Sequence, residues 1–239
     1  MADAFTVINP DRSGRLVLTC EHASCAVPVE YDALGLDDEQ LGEHIGWDIG
    51  AGALTDLLAQ RLAAPAVQSG VSRLVIDCNR DLADHDLIVR ESHGVRVPGN
   101  QGVDAVERER RIREFYEPYH DAIDTLLARR PDVLLLSIHS FTPVLSGRER
   151  RFDAGVLFDD FAIEAERFGE ALGAQGLQVR YNQPYSGLDG LIFSARTHGM
   201  RHALRYLELE VNNRLLRTPA EIDATATAVV GAVRSLLEY

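Results

Sequence analysis

The chain has 239 residues, 46% hydrophobic and 26% charged, and a formal net charge of −13 at pH 7. That is the make-up of a soluble globular protein, long enough for one large α/β domain over 1–239, and its acidity argues against nucleic acid or anionic membranes as partners. No apolar run reaches the roughly 20 residues of a bilayer span, and the opening "MADAFTVINPDRSG" lacks the basic head and apolar core of an export signal, so a cytoplasmic location is expected.

In chain order, "RLVLTC" (Arg15 to Cys20) reads as a buried strand, and apolar positions from Trp47 to Leu62 recur at helical spacing. "AVQSG" and "RLVIDC" are the next strand candidates. A long helix over about 103–129 follows, which Pro118 should kink or divide. Then come the strand "DVLLLSI", the strand "AGVLF", a helix near Ala162 to Gln175, the strand "LQVRY", a loop rich in Gly and Pro, and the strand "YLELEV". A C-terminal helix should start at Thr218 as N-cap, with Pro219 at its first position and Glu221 completing a capping box. Strands alternating with helices predict a mixed, mostly parallel sheet with helices on both faces. Two polar stretches, Asp81 to Gly102 and Thr142 to Asp153, read as long loops of the kind that serve as lids. His85, His93 and "GRERR" within them read as solvated, unless a lid uses them against an anionic substrate. Tyr116, Tyr119 and His120 read as packing a helix onto the sheet. Cys20, Cys25 and Cys78 have no zinc-ribbon spacing, and Cys20 and Cys78 read as buried free thiols.

Ligands in open α/β sheets bind beyond the carboxyl ends of the strands. The first strand delivers Glu21 and His22 there, "RLVIDC" delivers Asp77, Asn79 and Arg80, and "LLLSIHSF" delivers His139. Glu208 and Glu210, two apart in "YLELEV", share one strand face. Two imidazoles and a carboxylate with one open position suit a single zinc ion, and another divalent metal would also fit. Glu21 and Asp48 compete for the carboxylate place. Asp48, at the start of the following helix, is preferred, although an acid there also serves as an ordinary helix cap. Ser24, Ser137 and Ser140 do not make a serine hydrolase, because no G-x-S-x-G elbow is present.

The ordered motifs "CEHAS", "GWDIGA", "SRLVIDCNR", "YEPYH", "SIHSFTP" and "LELEVNNRLL", from about Leu16 to Leu216, resemble the N-formylglutamate amidohydrolase family. That family is related to zinc carboxypeptidases and aspartoacylases and is similar to zinc-dependent cell-wall amidases. The resemblance implies a fold of the zinc-peptidase (phosphorylase/hydrolase-like) type, with His22, Asp48 and His139 as zinc ligands and Glu210 as catalytic acid/base, Glu208 competing. It implies Asn79 and Arg80 as holders of the substrate carboxylate, with Arg73 assisting them or pairing with Asp77. Arg196 and His198, in "SARTHGM", are expected to line the pocket or stabilise the developing oxyanion. Two departures stand out: Cys25 replaces the glutamate of the carboxypeptidase H-x-x-E pair, and "CEHAS" replaces the family's proline-histidine-serine-glycine run.

The expected activity is zinc-dependent hydrolysis of a small anionic N-acyl amino acid, N-formyl-L-glutamate or a close analogue, by a monomer or small homo-oligomer. The alternatives are a zinc hydrolase of another N-acyl amino acid or peptide amide, and a non-catalytic ligand-binding relative.

Overall fold

Short runs of Val, Leu and Ile bounded by Gly, Pro and Asp become strands, and the periodic stretches between them become helices. A computed structural model describes residues 3–145 and 147–238; position 146, inside the expected Thr142–Asp153 loop, lies outside them. The elements are β1 (Phe5–Ile8), β2 (Leu16–Cys20), α1 (Asp38–Gly42), α2 (Ala51–Arg61) and β3 (Ala66–Ser69). The hairpin β4 (Glu91–Ser92) and β5 (Val95–Arg96) follows, then α3 (Ala105–Arg111), α4 (Glu117–Leu127) and β6 (Leu134–Phe141). A second hairpin, β7 (Val144–Leu145) and β8 (Arg148–Glu149), precedes β9 (Ala154–Leu157), α5 (Ala162–Ala174) and β10 (Val179–Tyr181). The chain closes with α6 (Phe193–His202), β11 (Arg205–Asn212) and α7 (Pro219–Leu237).

Seven strands form one sheet in the order β1-β3-β2-β6-β11-β9-β10. β1 runs antiparallel to β3 and β9 antiparallel to β11, while the other neighbours are parallel. The expected mixed, mostly parallel sheet is therefore present. On one face Leu16, Leu18, Leu134, Leu136, Ile138, Leu207 and Leu209 pack under α2, α5 and α7. On the other, Val17, Leu135 and Tyr206 pack against residues of α4 and α6 and of the loop before α3. Strand side chains alternate between faces, so this second face also receives Ser137 and His139 from β6 and Glu208 and Glu210 from β11. The face is thus apolar at the amino ends of the strands and polar at their carboxyl ends. No helix among the described residues is long and apolar enough to cross a membrane.

α7 begins as its sequence predicts: the Thr218 side chain accepts from Glu221 N, and the Glu221 carboxylate accepts from Thr218 N. The long helical stretch does divide around Pro118. Residues Ile112–Tyr116 widen into a π turn between α3 and α4, a shape that relieves the clash of a proline ring with the carbonyl one turn back.

Several expectations need correction. "RLVIDC" is buried but is not a strand: it runs as turns. Its backbone is satisfied without a ladder: Asn100 donates to Leu74 O and Arg111 to Val75 O, while Arg73 N, Val75 N and Asp77 N donate to Gly46 O, Ser72 O and Leu87 O. Apolar burial alone cannot tell such a segment from a strand. β6 does not stop at His139 but continues to Phe141. The Trp47–Leu62 stretch turns helical only at Ala51, with Gly50 as N-cap at φ +82°, so Asp48 precedes the helix. β1 and α6 were not anticipated. The two polar loops carry the β4–β5 and β7–β8 hairpins. Cys20 and Cys78 are buried free thiols, though Cys78 sits in the turn segment and not in a strand.

Candidate active site

β2 ends at Cys20 and the chain turns at once, which separates Glu21 from His22. Asp48 N donates to His22 O at 2.9 Å, tying the segment before α2 to the end of β2. Gly52 makes that approach possible, since a Cβ there would lie 2.8 Å from Ala23 O. Parallel pairing of β6 with β11 then sets His139 opposite Glu210 and Ser137 opposite Glu208.

His22, Asp48 and His139 meet. Their ligand-type atoms lie within 4.8 Å of one another, and the two imidazole centroids are 4.9 Å apart. Asp48 Oδ2 is 2.7 Å from His139 Nδ1 and 3.6 Å from His22 Nδ1. Both rings are held from behind by a carboxylate. His22 Nε2 donates to Asp77 Oδ1 at 2.6 Å, and His139 Nε2 faces Glu21 Oε2 at 3.0 Å. Glu21 is fixed in turn by the Tyr119 hydroxyl at 2.9 Å and the Ser137 hydroxyl at 2.5 Å. Asp48 is also bound by the Arg73 guanidinium and by Ser140 N at 3.2 Å. The Asp48 side chain does not cap α2: Oδ1 takes Arg73, and Oδ2 faces the two histidines and Ser140 N.

The electrostatics follow from this packing. Burial works against a charged His139, but the charges of Glu208, Asp48 and Glu21 outweigh it and lift its pKa well above the histidine range. Burial would raise the carboxyls of Asp48, Asp77 and Glu21, yet their cationic and hydrogen-bonding partners win and hold all three below the carboxylate range. Glu208 and Glu210 lack such support. Burial pushes Glu208 up to about 8 and Glu210 up to about 7, against the pull of His139.

This donor set fits a metal cation. Among the described residues His22 Nδ1 is buried without a hydrogen-bond partner, because Asp77 occupies the other ring nitrogen and leaves the Nδ1 lone pair facing Asp48. A tetrahedral ion with bonds of roughly 2.0–2.1 Å needs ligand atoms about 3.4 Å apart, between the two separations that Asp48 Oδ2 shows. A cation there would displace the His139 Nδ1 proton. Glu21 lies on the Nε2 side of His139, away from that point. His139, Glu208 and Glu210 form a second close grouping.

These residues floor a cavity of about 290 Å³. Arg73, Asn79, Arg80, Tyr185, His44 and His93 also line it. Asn79 is partly engaged, accepting from Ser194 N at 2.9 Å and donating to Glu208 at 3.5 Å. Arg80 is held only loosely, with Asp84 at 3.5 Å and Asp77 at 3.8 Å, while its backbone carbonyl accepts from the Tyr116 hydroxyl. Arg73 pairs with Asp48.

Residues 14–217 match the family model for N-formylglutamate amidohydrolase. The chain belongs to that family. Like the family, it is a hydrolase acting on amide bonds. Among solved structures, a gene product from Agrobacterium tumefaciens is 34% identical over 98% of this chain and 95% of its own, with a TM-score of 0.93. An N-formylglutamate amidohydrolase from Ralstonia eutropha is 20% identical over 100% of this chain and 98% of its own, with a TM-score of 0.80, which shows a shared fold. No curated protein matches the chain.

Arg196 and His198 are not brought to the cavity. Arg196 pairs with Asp159 at 2.9 Å. His198 is buried between His120 Nδ1 at 2.8 Å and Asp124 at 2.7 Å. α6, unanticipated, turns both away: it lays His198 against α4 and Arg196 toward the loop after β9. Conversely, the sequence reads His93 as solvated unless a lid uses it, and the β4–β5 hairpin carries it to the cavity. Asp77 and Tyr119 were visible in "DCNR" and "YEPYH", but their grip on His22 and Glu21 depends on contacts between distant segments.

Proposed function

We propose that this protein is a zinc-dependent amidohydrolase that removes the acyl group from a small N-acyl amino acid, N-formyl-L-glutamate or a close analogue. One observation carries the reading: His22 Nδ1, Asp48 Oδ2 and His139 Nδ1 converge on the cavity floor, and Glu210, directly across the β6–β11 ladder, presents an unpartnered carboxylate oxygen there. The family match and the Ralstonia eutropha relative support the same chemistry.

His22, Asp48 and His139 would hold the zinc ion, whose chemistry there would be to activate a water and polarise the substrate carbonyl. Glu210 takes the proton of the attacking water and passes it to the amide nitrogen, so that the C–N bond breaks to a carboxylic acid and a free amine. Its elevated proton affinity suits a group that must both accept and return a proton near neutral pH. Glu208 is less suited, being engaged by Asn79 and set beside His139 Nε2 at 3.5 Å. Arg73 keeps Asp48 turned toward the histidines. Arg80, lightly held and at the cavity wall, binds the α-carboxylate of the substrate in a bidentate fork, and Asn79 adds its remaining amide hydrogen.

The test is elemental analysis combined with turnover of N-formyl-L-glutamate. His139→Ala should lose both metal and activity, whereas Glu210→Gln should keep stoichiometric zinc and lose about 10²–10⁴-fold in kcat. Unchanged metal in His139→Ala, or full activity in Glu210→Gln, rejects the assignment.

A further inference from the structure

The cavity carries two imidazoles that the proposed reaction does not use. His44 lies in the turn after α1, and His93 sits at the tip of the β4–β5 hairpin. His93 and Gly94 both have positive φ, +50° and +83°, the backbone of a tight two-residue hairpin turn. That turn brings the His93 ring to 4.8 Å from the His44 ring, centroid to centroid. His44 Nδ1 lies 3.8 Å from Glu43, while its Nε2 is buried and has no hydrogen-bond partner among the described residues.

The surroundings are cationic. Burial lowers the proton affinity of His93, and the neighbouring His44, Arg73 and Arg150 lower it further. Arg150 is held over the Tyr185 ring at 5.2 Å, and Tyr185 is itself a cavity wall. Of the acids that line the cavity, Asp48 is engaged by Arg73 and His139, Asp77 by His22 and Glu208 by Asn79, while Glu210 stands across the strand ladder from His139. A ring nitrogen still open to a hydrogen bond, beside cationic side chains in a chain of net charge −13, is suited to a small anion once it carries a proton.

We propose that His44 and His93 form the subsite for the side-chain carboxylate of the substrate and select acidic over neutral amino acids. This rests on the amidohydrolase reading, in which Arg80 takes the α-carboxylate from a different turn. The pair acts on specificity and not on bond breaking, because neither ring belongs to the His22–Asp48–His139 group.

The experiment is calorimetric titration of the zinc-loaded full chain with L-glutamate and with L-glutamine, its uncharged isostere. His44→Ala, His93→Ala and the double variant are titrated alongside. The wild type should bind glutamate at least about tenfold more tightly than glutamine, the double variant should bring the ratio to about one, and glutamine affinity should stay within about twofold throughout. Constant glutamine affinity also shows that the variants are folded. A wild type that binds neither ligand, a wild type without preference, or a double variant that keeps the preference overturns the proposal. Turnover is read separately: intact glutamate preference with no hydrolysis of N-formyl-L-glutamate would refute the reaction and leave the subsite standing.

Discussion

Asp77 gives the sharpest test of how the histidines are held. Its Oδ1 accepts from His22 Nε2 at 2.6 Å and from Asn79 N at 2.8 Å. The first bond selects the His22 tautomer whose Nδ1 lone pair faces Asp48. Asp77→Asn can keep both bonds, because an amide oxygen fits the Oδ1 place and its NH₂ then takes the Oδ2 place, 3.8 Å from Arg80 Nε. Only the charge is lost. Asp77→Ala removes charge and acceptor together and leaves the His22 ring free to turn. A buried hydrogen bond to a charged group contributes about 1.5–3 kcal/mol, which at 1.4 kcal/mol per decade is about 10–100-fold in a binding constant. That range matches the usual effect of removing a carboxylate behind a metal-binding histidine. Zinc affinity, measured by competition with a chromophoric chelator at fixed neutral pH, should therefore weaken about tenfold in Asp77→Asn and about 100-fold in Asp77→Ala. Glutamate preference, set at the far imidazole pair, should be unaffected in Asp77→Asn. If Asp77→Ala binds zinc within about twofold of wild type, the idea that a carboxylate orients His22 for a cation is wrong.

Two further outcomes follow from the same network. Tyr119→Phe removes the hydroxyl on Glu21 while keeping the buried ring; it should cost about 1.5–3 kcal/mol in chemical denaturation and weaken zinc binding less than Asp77→Ala does, since Ser137 still holds Glu21. In chelator, thermal stability should rise as pH falls from about 8 to 6.5, because Glu208 and Glu210 have folded pKa values of about 8 and 7, far above the unfolded value of about 4.3. His139, also raised, adds to the same trend. Below about pH 4 the sign reverses: Asp48, Asp77 and Glu21 have depressed pKa values, so their stabilisation is lost as they protonate. A melting temperature that falls steadily from pH 8 to 6.5 contradicts the first part.

The sequence by itself determined the features whose causes lie within a few residues. The Thr218–Glu221 capping box sets the start of α7, Pro118 forces the π turn before α4, and the apolar run into His139 makes β6, buried along its whole length. Alternation along "YLELEV" put Glu208 and Glu210 on one face without any knowledge of their neighbours. The tertiary structure alone decided who meets whom. "RLVIDC" has a strand's composition, but it runs as turns closed by its own backbone, with Asn100 and Arg111 binding two of its carbonyls, and Asp77 comes to lie beside His22. Placing β6 between β2 and β11 sets His139 between Glu21 and Glu210. His93 and His198 are both histidines in polar sequence, and only the hairpin that carries one and the helix that carries the other send the first to the cavity and the second to Asp124. Local propensity acts over one or two turns, whereas these encounters join residues dozens of positions apart and are fixed by strand order and packing.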